Sequence, residues 1–478
     1  MKTIKYLFVG ALMTVLSVPA MAQVSIADAV KEIKSSKDAK ATEAVVKQAY
    51  KLVKKDAVEV AKLGRAYLDV KDTLNARKYA QLAIKANKNS AAGYLLQGDI
   101  EVFNDNPGEA AAWYQNAIYF DSKNAEAYKK YAFIYRGRDP KQAVQTLEQL
   151  RTVDPSYPVD AEAGHIYYMS ATKNSAYMPL ALESYQKVQL PALAKLESYY
   201  MTEYALVAFA SQKNDLSKKI AEFGLQTKPR NAGYNRLALY NSVELKQYDD
   251  AIKYVDRLFN QSDSLEATAN DFKFAALAYA GAKNYDEAIN YYTKQLNAVE
   301  DAEDKAATLK AISDTYKEKG DLVNSLAKYE EYLKINPSAN ANDYAGFANI
   351  YRNMAAEQTG AEQAASVEKA IAIYNDMKVK YPTSADYSNF MAARTIQLLD
   401  ADQKKGLAKP YYEALVTSIE TAGIKSDADK SRIKEAYTYL GIYLFKIMND
   451  SAAAKPYFDK LISIDPENAL AKQVLATY

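Results

Sequence analysis

One recurring spacing constrains this chain more than any other feature. Gly64 and Gly98 stand 34 residues apart, and the pairs Ala76/Ala110 and Ala83/Ala117 repeat that offset. Small residues returning on one period mark copies of a single supersecondary unit, each needing its neighbours to bury its apolar face. The segments starting at Ala57 and Ala91 each run for 34 residues, and the next, 125–157, is one residue shorter. Pro155, Pro229, Pro337, Pro382 and Pro466 punctuate the series, at places where a residue without an N–H ends the helix before it. An array of this kind escapes the limit of roughly 250–300 residues at which single cores stop growing.

The intervals suit helices. Only 16 of 478 residues are Gly, and Ala, Lys, Glu, Leu and Gln fill the segments between them. Lys and Arg number 61 against 59 Asp and Glu, a formal charge of +2, so no broad basic surface for nucleic acid exists. There is no Cys, which removes disulfides, zinc thiolates and lipid attachment at a lipobox cysteine. Tyr is the outlier, at 41 against 13 Phe, one Trp and one His.

The segments carry a common pattern. "LGRAYLDVKDTLNARKYAQLAIK" holds Leu63, Gly64, Tyr67, Ala76 and Ala83, and "YLLQGDIEVFNDNPGEAAAWYQNAI" holds Tyr94, Gly98, Ala110, Tyr114 and Ala117. Later copies use Tyr128, Ala132, Tyr135 and Ala143; Phe272, Ala276, Tyr279, Ala288 and Tyr292; and Tyr344, Ala348, Tyr351, Ala370 and Tyr374. This pattern resembles the tetratricopeptide repeat, with an aromatic, a small residue and Tyr on a first helix and Ala, an aromatic and Ala on a second. The resemblance implies an all-α fold, an α-solenoid wound as a right-handed superhelix of about ten helix-turn-helix repeats. Small residues let two helices approach, and aromatics fill the space above them.

Residues 1–22 read as an export signal: Lys2 and Lys5, an apolar run from Tyr6 to Val18, then Ala20-Met21-Ala22 as a cleavage site. The run falls short of the roughly 20 residues that span a bilayer, and the mature chain is expected in a periplasm in preference to the medium. Residues 23–56 are expected to form capping helices, 57–188 an N-terminal array and 189–230 an irregular connection or degenerate repeat. Residues 231–466 are expected to form a C-terminal array, and 467–478 a solvating helix. The stretch between Tyr351 and Ala370 predicts two extended helices meeting at Thr359-Gly360. In "AKPYYEAL" and "AKPYFDKL", Pro410 and Pro456 are expected within the first helical turn.

Chemistry is scarce. The single histidine, His165, allows no His-pair metal site, and its expected place is solvent-exposed or facing a groove. No glycine-rich phosphate loop occurs. Asp249-Asp250 and Asp286-Glu287 fall at helix starts, where carboxylates complement unpaired amides. No catalytic residue, cofactor or metal is therefore expected. Tyrosines at repeat positions are expected in the core, while Tyr119, Tyr168, Tyr291 and Tyr411 fall outside them, with Tyr291 free to face solvent or a neighbouring repeat.

The resemblance further implies a concave surface of first helices that binds segments of partner proteins. By position this groove displays Leu95, Asp99 and Val102; Lys129, Phe133 and Arg136; Lys310, Asp314 and Lys317; and Asn342, Asn349 and Arg352. Phe133 with Lys129 and Arg136 suits a peptide carrying an apolar anchor near a carboxylate. The expected function is a non-catalytic periplasmic scaffold, in envelope assembly or secretion, with protein or peptide partners. The alternative is a glycan-binding component of an outer-membrane uptake system, in which unassigned tyrosines stack on sugars.

Overall fold

The computed structural model describes residues 24–478, so the export segment at 1–22 lies outside the described residues. Among the described residues there are 26 α-helices, and the one β-type contact is an isolated bridge between Asn231 and Asp263. The described residues divide into two compact units, the first ending at Ile220 and the second spanning Ala221–Tyr478. Within each, helices pack chiefly on their neighbours in sequence, which is the arrangement of an α-solenoid.

In the first unit, helices Ile26–Ser35 and Ala39–Val53 precede four pairs. These are Ala57–Asp69 with Thr73–Ala86, Ala91–Phe103 with Pro107–Phe120, Ala125–Tyr135 with Pro140–Leu150, and Val159–Ala171 with Met178–Gln186. Segment 189–230 is more regular than its sequence suggests, because one short helix, Leu190–Leu193, leads into two full helices, Ser198–Ala210 and Asn214–Thr227. The Ser217 hydroxyl donates to the Ala205 carbonyl at 2.8 Å, so a polar contact replaces the Gly/Ala contact of other repeats. The second unit continues with six pairs from Ala232–Glu244 to Ser451–Ile464 and ends in Ala469–Leu475. Helices Ala341–Glu357 and Gly360–Lys380 are the extended pair read from the sequence, separated only by Gln358 and Thr359.

The turns inside many of the repeats follow one design. The first helix closes through a residue in the left-handed region: Lys71 (φ 66), Asp105 (φ 58), Lys246 (φ 56), Lys283 (φ 60) and Asn449 (φ 52), with Gly320 (φ 87) in the same role. The Lys71 amide donates to the Leu68 carbonyl and the Asp72 amide to the Tyr67 carbonyl, both at 2.9 Å, satisfying carbonyls that a helix end leaves open. Asp105 with Asn106 and Lys283 with Asn284 repeat this geometry. The next residue caps the second helix; Asp72 accepts from the Asn75 amide at 2.9 Å and Asp321 from the Asn324 amide at 3.1 Å.

Close approach explains the small residues. A Cβ at Gly98 would sit inside the van der Waals envelope of the Tyr114 ring, and one at Gly164 would come within 2.9 Å of the Tyr185 ring. Cores are correspondingly local. Ala29, Ile33, Val46 and Ala49 of the leading helices pack with Val60 and Leu63, and at the other end Ala471 and Val474 pack with Phe458 and Leu461.

One expectation needs correction. Pro410 lies in the first turn of Lys409–Ala422, but Pro456 is interior to Ser451–Ile464. Asp450 caps that helix by accepting from the Ala453 amide at 2.9 Å, and the run Ser451–Ala454 adds a turn ahead of the proline. Tyr291 takes the second of its two expected places, facing the neighbouring repeat: it packs against Phe259 of the preceding repeat at 5.4 Å, stacks on Tyr279 at 5.6 Å and lies under the Lys294 ammonium at 4.3 Å. Burial pushes its hydroxyl up to about 12.

Candidate functional site

The excess of Tyr over Phe has a structural cause. Tyrosine rings fill the repeat cores and their hydroxyls reach carboxylates, many on the adjoining repeat. Tyr114 donates to Asp99 at 2.6 Å, Tyr185 to Glu203 at 2.6 Å and Tyr200 to Glu162 at 2.5 Å. In the second unit Tyr240 donates to Asp271 at 2.8 Å, Tyr332 to Asp343 at 2.6 Å, Tyr412 to Glu435 at 2.8 Å and Tyr437 to Glu420 at 2.7 Å. Several of these acids also meet a base from a neighbouring repeat. Asp99 pairs with Arg65 and Lys130, Glu203 with His165, Asp271 with Arg236, Glu435 with Arg394 and Glu420 with Lys460. A buried carboxylate needs such partners, and Tyr supplies one while still filling the core. Burial, with the carboxylate acceptor adding to it, pushes the Tyr114 and Tyr185 hydroxyls far above their ordinary value of 10.

His165 belongs to this system, which corrects its expected exposure. Its Nδ1 lies 3.0 Å from both Glu203 oxygens, and its ring neighbours are Tyr199 at 5.0 Å and Tyr200 at 6.1 Å. The imidazole therefore serves as the base of one inter-repeat contact. Its contacts include no hydroxyl nucleophile of the Ser or Thr type. Among the described residues no group of three His, Asp or Glu side chains is placed to hold a metal ion.

Four of the groove residues read from the sequence come together in the first unit. Asp99, Val102, Lys129 and Phe133 line one cleft of about 340 Å³ with Tyr114, Lys130, Ile134, Tyr157 and Glu162. Helices Ala91–Phe103 and Ala125–Tyr135 supply most of the wall. Asp99 is buried and occupied by Tyr114, Lys130 and Arg65, so it shapes the cleft and has little capacity left for a partner. Lys129 is held 3.1 Å from Asp154 and 4.6 Å above the Tyr157 ring. Phe133 is 58% exposed and Val102 is 42% exposed. Arg136 lays its guanidinium 4.0 Å from the Phe133 ring centroid. Leu95 is half-buried between the clusters around Tyr94 and Tyr131. Trp113, the sole tryptophan, packs near Tyr94 at 6.4 Å and precedes Tyr114 of the cleft wall.

The remaining candidates lie in the second unit and make local contacts. Lys310 pairs with Asp314 at 3.1 Å and passes 5.5 Å above Tyr329, while Lys317 is exposed. Asn342 is exposed at its helix start; Asn349 accepts from the Tyr374 hydroxyl at 2.8 Å. Arg352 is half-buried, and its Nε has no hydrogen-bond partner among the described residues. The positions were legible from the repeat; which side chains were already engaged was not, because the partners of Asp99, Lys129 and Asn349 stand 15 to 34 residues away in sequence.

Successive helix pairs with small-residue contacts and a first-helix cleft define a helical-repeat protein of the α-solenoid class. Residues 435–468 match the family model of the tetratricopeptide repeat, so that stretch carries a repeat of this family. Among solved structures it is similar to the C-terminal part of a TPR repeat-containing protein from Cytophaga hutchinsonii. That likeness has 20% identity and a TM-score of 0.44, covering 57% of this chain and 99% of that one. A tetratricopeptide repeat protein from Parabacteroides merdae is 16% identical over 54% of this chain and 98% of its own, with a TM-score of 0.32. No curated protein matches the chain.

Proposed function

We propose that this chain is an exported, non-catalytic scaffold that holds segments of partner proteins against its first helices, within the cell envelope. The observation that carries this reading is the first-unit cleft, where Phe133 remains 58% exposed on a helix whose other large side chains are mostly packed. Repeats of this family support protein–protein interaction. The sequence of residues 1–22 supports export, and among the described residues no helix is long and apolar enough to cross a membrane. The glycan reading loses support at its tyrosines: Tyr168, Tyr291 and Tyr411 are half-buried, leaving Tyr119, 78% exposed, as the one exposed ring of the four. The test is crosslinking in cells of the source organism followed by capture of the tagged chain, alongside fractionation of the envelope. Recovery of defined protein partners, reduced by Arg136→Glu or Lys129→Glu, is expected. Capture without any protein partner, or residence of the chain in the cytoplasm, contradicts the reading.

A further inference from the structure

We propose that the first-unit cleft takes an extended partner segment bearing one large apolar side chain and, within a few residues of it, one carboxylate. The apolar group packs on Phe133 and Val102, and the carboxylate pairs with Arg136. This deepens the scaffold reading and rests on it.

Charges around the cleft are mostly engaged within the protein. Its two lysines are already matched: Lys129 lies 3.1 Å from Asp154, and Lys130 lies 2.9 Å from Asp99. Of its two acids, Asp99 is matched by Lys130 and Arg65, and Glu162 is engaged by the neutral Tyr200 hydroxyl at 2.5 Å. Arg136 differs. Among the described residues no carboxylate lies within ion-pair distance of it, and its guanidinium is held on the Phe133 ring at 4.0 Å. Stacking on an aromatic face leaves the in-plane N–H donors of a guanidinium unused, and their fork matches a carboxylate. Ring and cation thus form one plate, apolar on the Phe133 side and cationic on the Arg136 side.

Size narrows the occupant. A cleft of about 340 Å³ admits one large side chain with a little backbone, which selects an extended segment over a folded surface. Val102, Ile134 and Tyr157 give that side chain apolar walls. A basic segment would meet Lys129, Lys130 and Arg136 together. A polyanion would find one unmatched cation where it needs several.

The test is selection of random dodecapeptides displayed on phage against the mature full-length chain. Enriched peptides are expected to combine an aromatic or large aliphatic residue with Asp or Glu one to four positions away. Their binding, read by fluorescence anisotropy, should fall about tenfold or more in Phe133→Ser and in Arg136→Glu. Replacing the peptide acid by Lys should restore binding to Arg136→Glu. Phe133 is exposed and Arg136 half-buried, and circular dichroism checks that both variants fold. Enrichment of basic peptides, binding indifferent to both substitutions, or no enrichment at all overturns the proposal. If crosslinking still recovers protein partners, only the cleft assignment falls; if it recovers none, the scaffold reading falls with it.

Discussion

Replacing Tyr185 by Phe should loosen its repeat more than replacing Tyr114 by Phe, although both remove one hydroxyl from a buried ring. Each hydroxyl donates to a carboxylate at 2.6 Å, and both acids are largely buried, with side-chain exposures of 9% for Asp99 and 11% for Glu203. The difference lies in what the acid keeps. Asp99 retains Lys130 and Arg65, so loss of Tyr114 leaves a satisfied carboxylate and costs about 0.5–1.5 kcal/mol. Glu203 retains only His165, and losing a charge-assisted bond from a sparsely partnered acid costs about 1.5–3 kcal/mol. The gap of about 1.4 kcal/mol corresponds to roughly tenfold. A long repeat array has no single unfolding free energy, so the readout is native-state hydrogen exchange of individual helices by mass spectrometry. Amides of Met178–Gln186 and Ser198–Ala210 in Tyr185→Phe should gain about tenfold more exchange than those of Ala91–Phe103 in Tyr114→Phe. A double-mutant cycle with Glu203→Gln should show most of the effect as coupling. Equal losses in the two variants, or no coupling to Glu203, would refute the account of tyrosine as partner to the inter-repeat acids.

Other consequences are as direct. Gly98→Ala should cost about 1–3 kcal/mol through collision with the Tyr114 ring, whereas Gly108→Ala, with open space around it, should be neutral or stabilising by about 0.5 kcal/mol; local exchange distinguishes them. Lys71→Gly, Lys246→Gly and Lys283→Gly should each stabilise the flanking helices by about 1 kcal/mol, seen as slower local hydrogen exchange, because glycine relieves the left-handed backbone there. Burial alone would push the Asp271 carboxyl up, but the Arg236 guanidinium, the Thr268 amide and the Tyr240 hydroxyl outweigh it and hold the group below 3.8. Glu435 is likewise held below 4.5 by Arg394 and Tyr412 against its burial. Carboxyls with lowered folded values stabilise above their unfolded values and lose that contribution as pH falls through the folded ones. Helix content by circular dichroism should therefore hold from pH 7 to about 5 and decline below about pH 4, with a smaller acid-dependent loss in Asp271→Asn.

Much of the fold was legible because it is written locally. Gly64, Gly98 and the alanines at their offset mark helix contacts, and prolines after Asn336 and Asp465 mark helix ends. The left-handed turns were hidden because Lys71, Lys246 and Lys283 stand where sequence reasoning looks for glycine. Pro456 misled because the alanine run ahead of it forms helix strongly enough to carry the proline into the interior. At the groove, positions could be read by counting along the repeat, and Phe133 is exposed on that basis. Engagement could not be read that way. Asp99 and Asn349 occupy groove positions in sequence, yet each is bound to a tyrosine from its own repeat's second helix.

The acid–base contacts also bear on how such an array can change over generations. Repeats joined only by apolar packing are interchangeable, and a duplicated or deleted copy still finds a compatible neighbour. Here Arg65 and Lys130 converge on the one carboxylate of Asp99, which belongs to the repeat between them. Excising residues 91–124 would remove the carboxylate that Arg65 and Lys130 share and leave both without it. His165 with Glu203 and Arg236 with Asp271 impose the same dependence elsewhere. Each repeat is thereby addressed to its neighbour, and the order of the array is inherited as a unit.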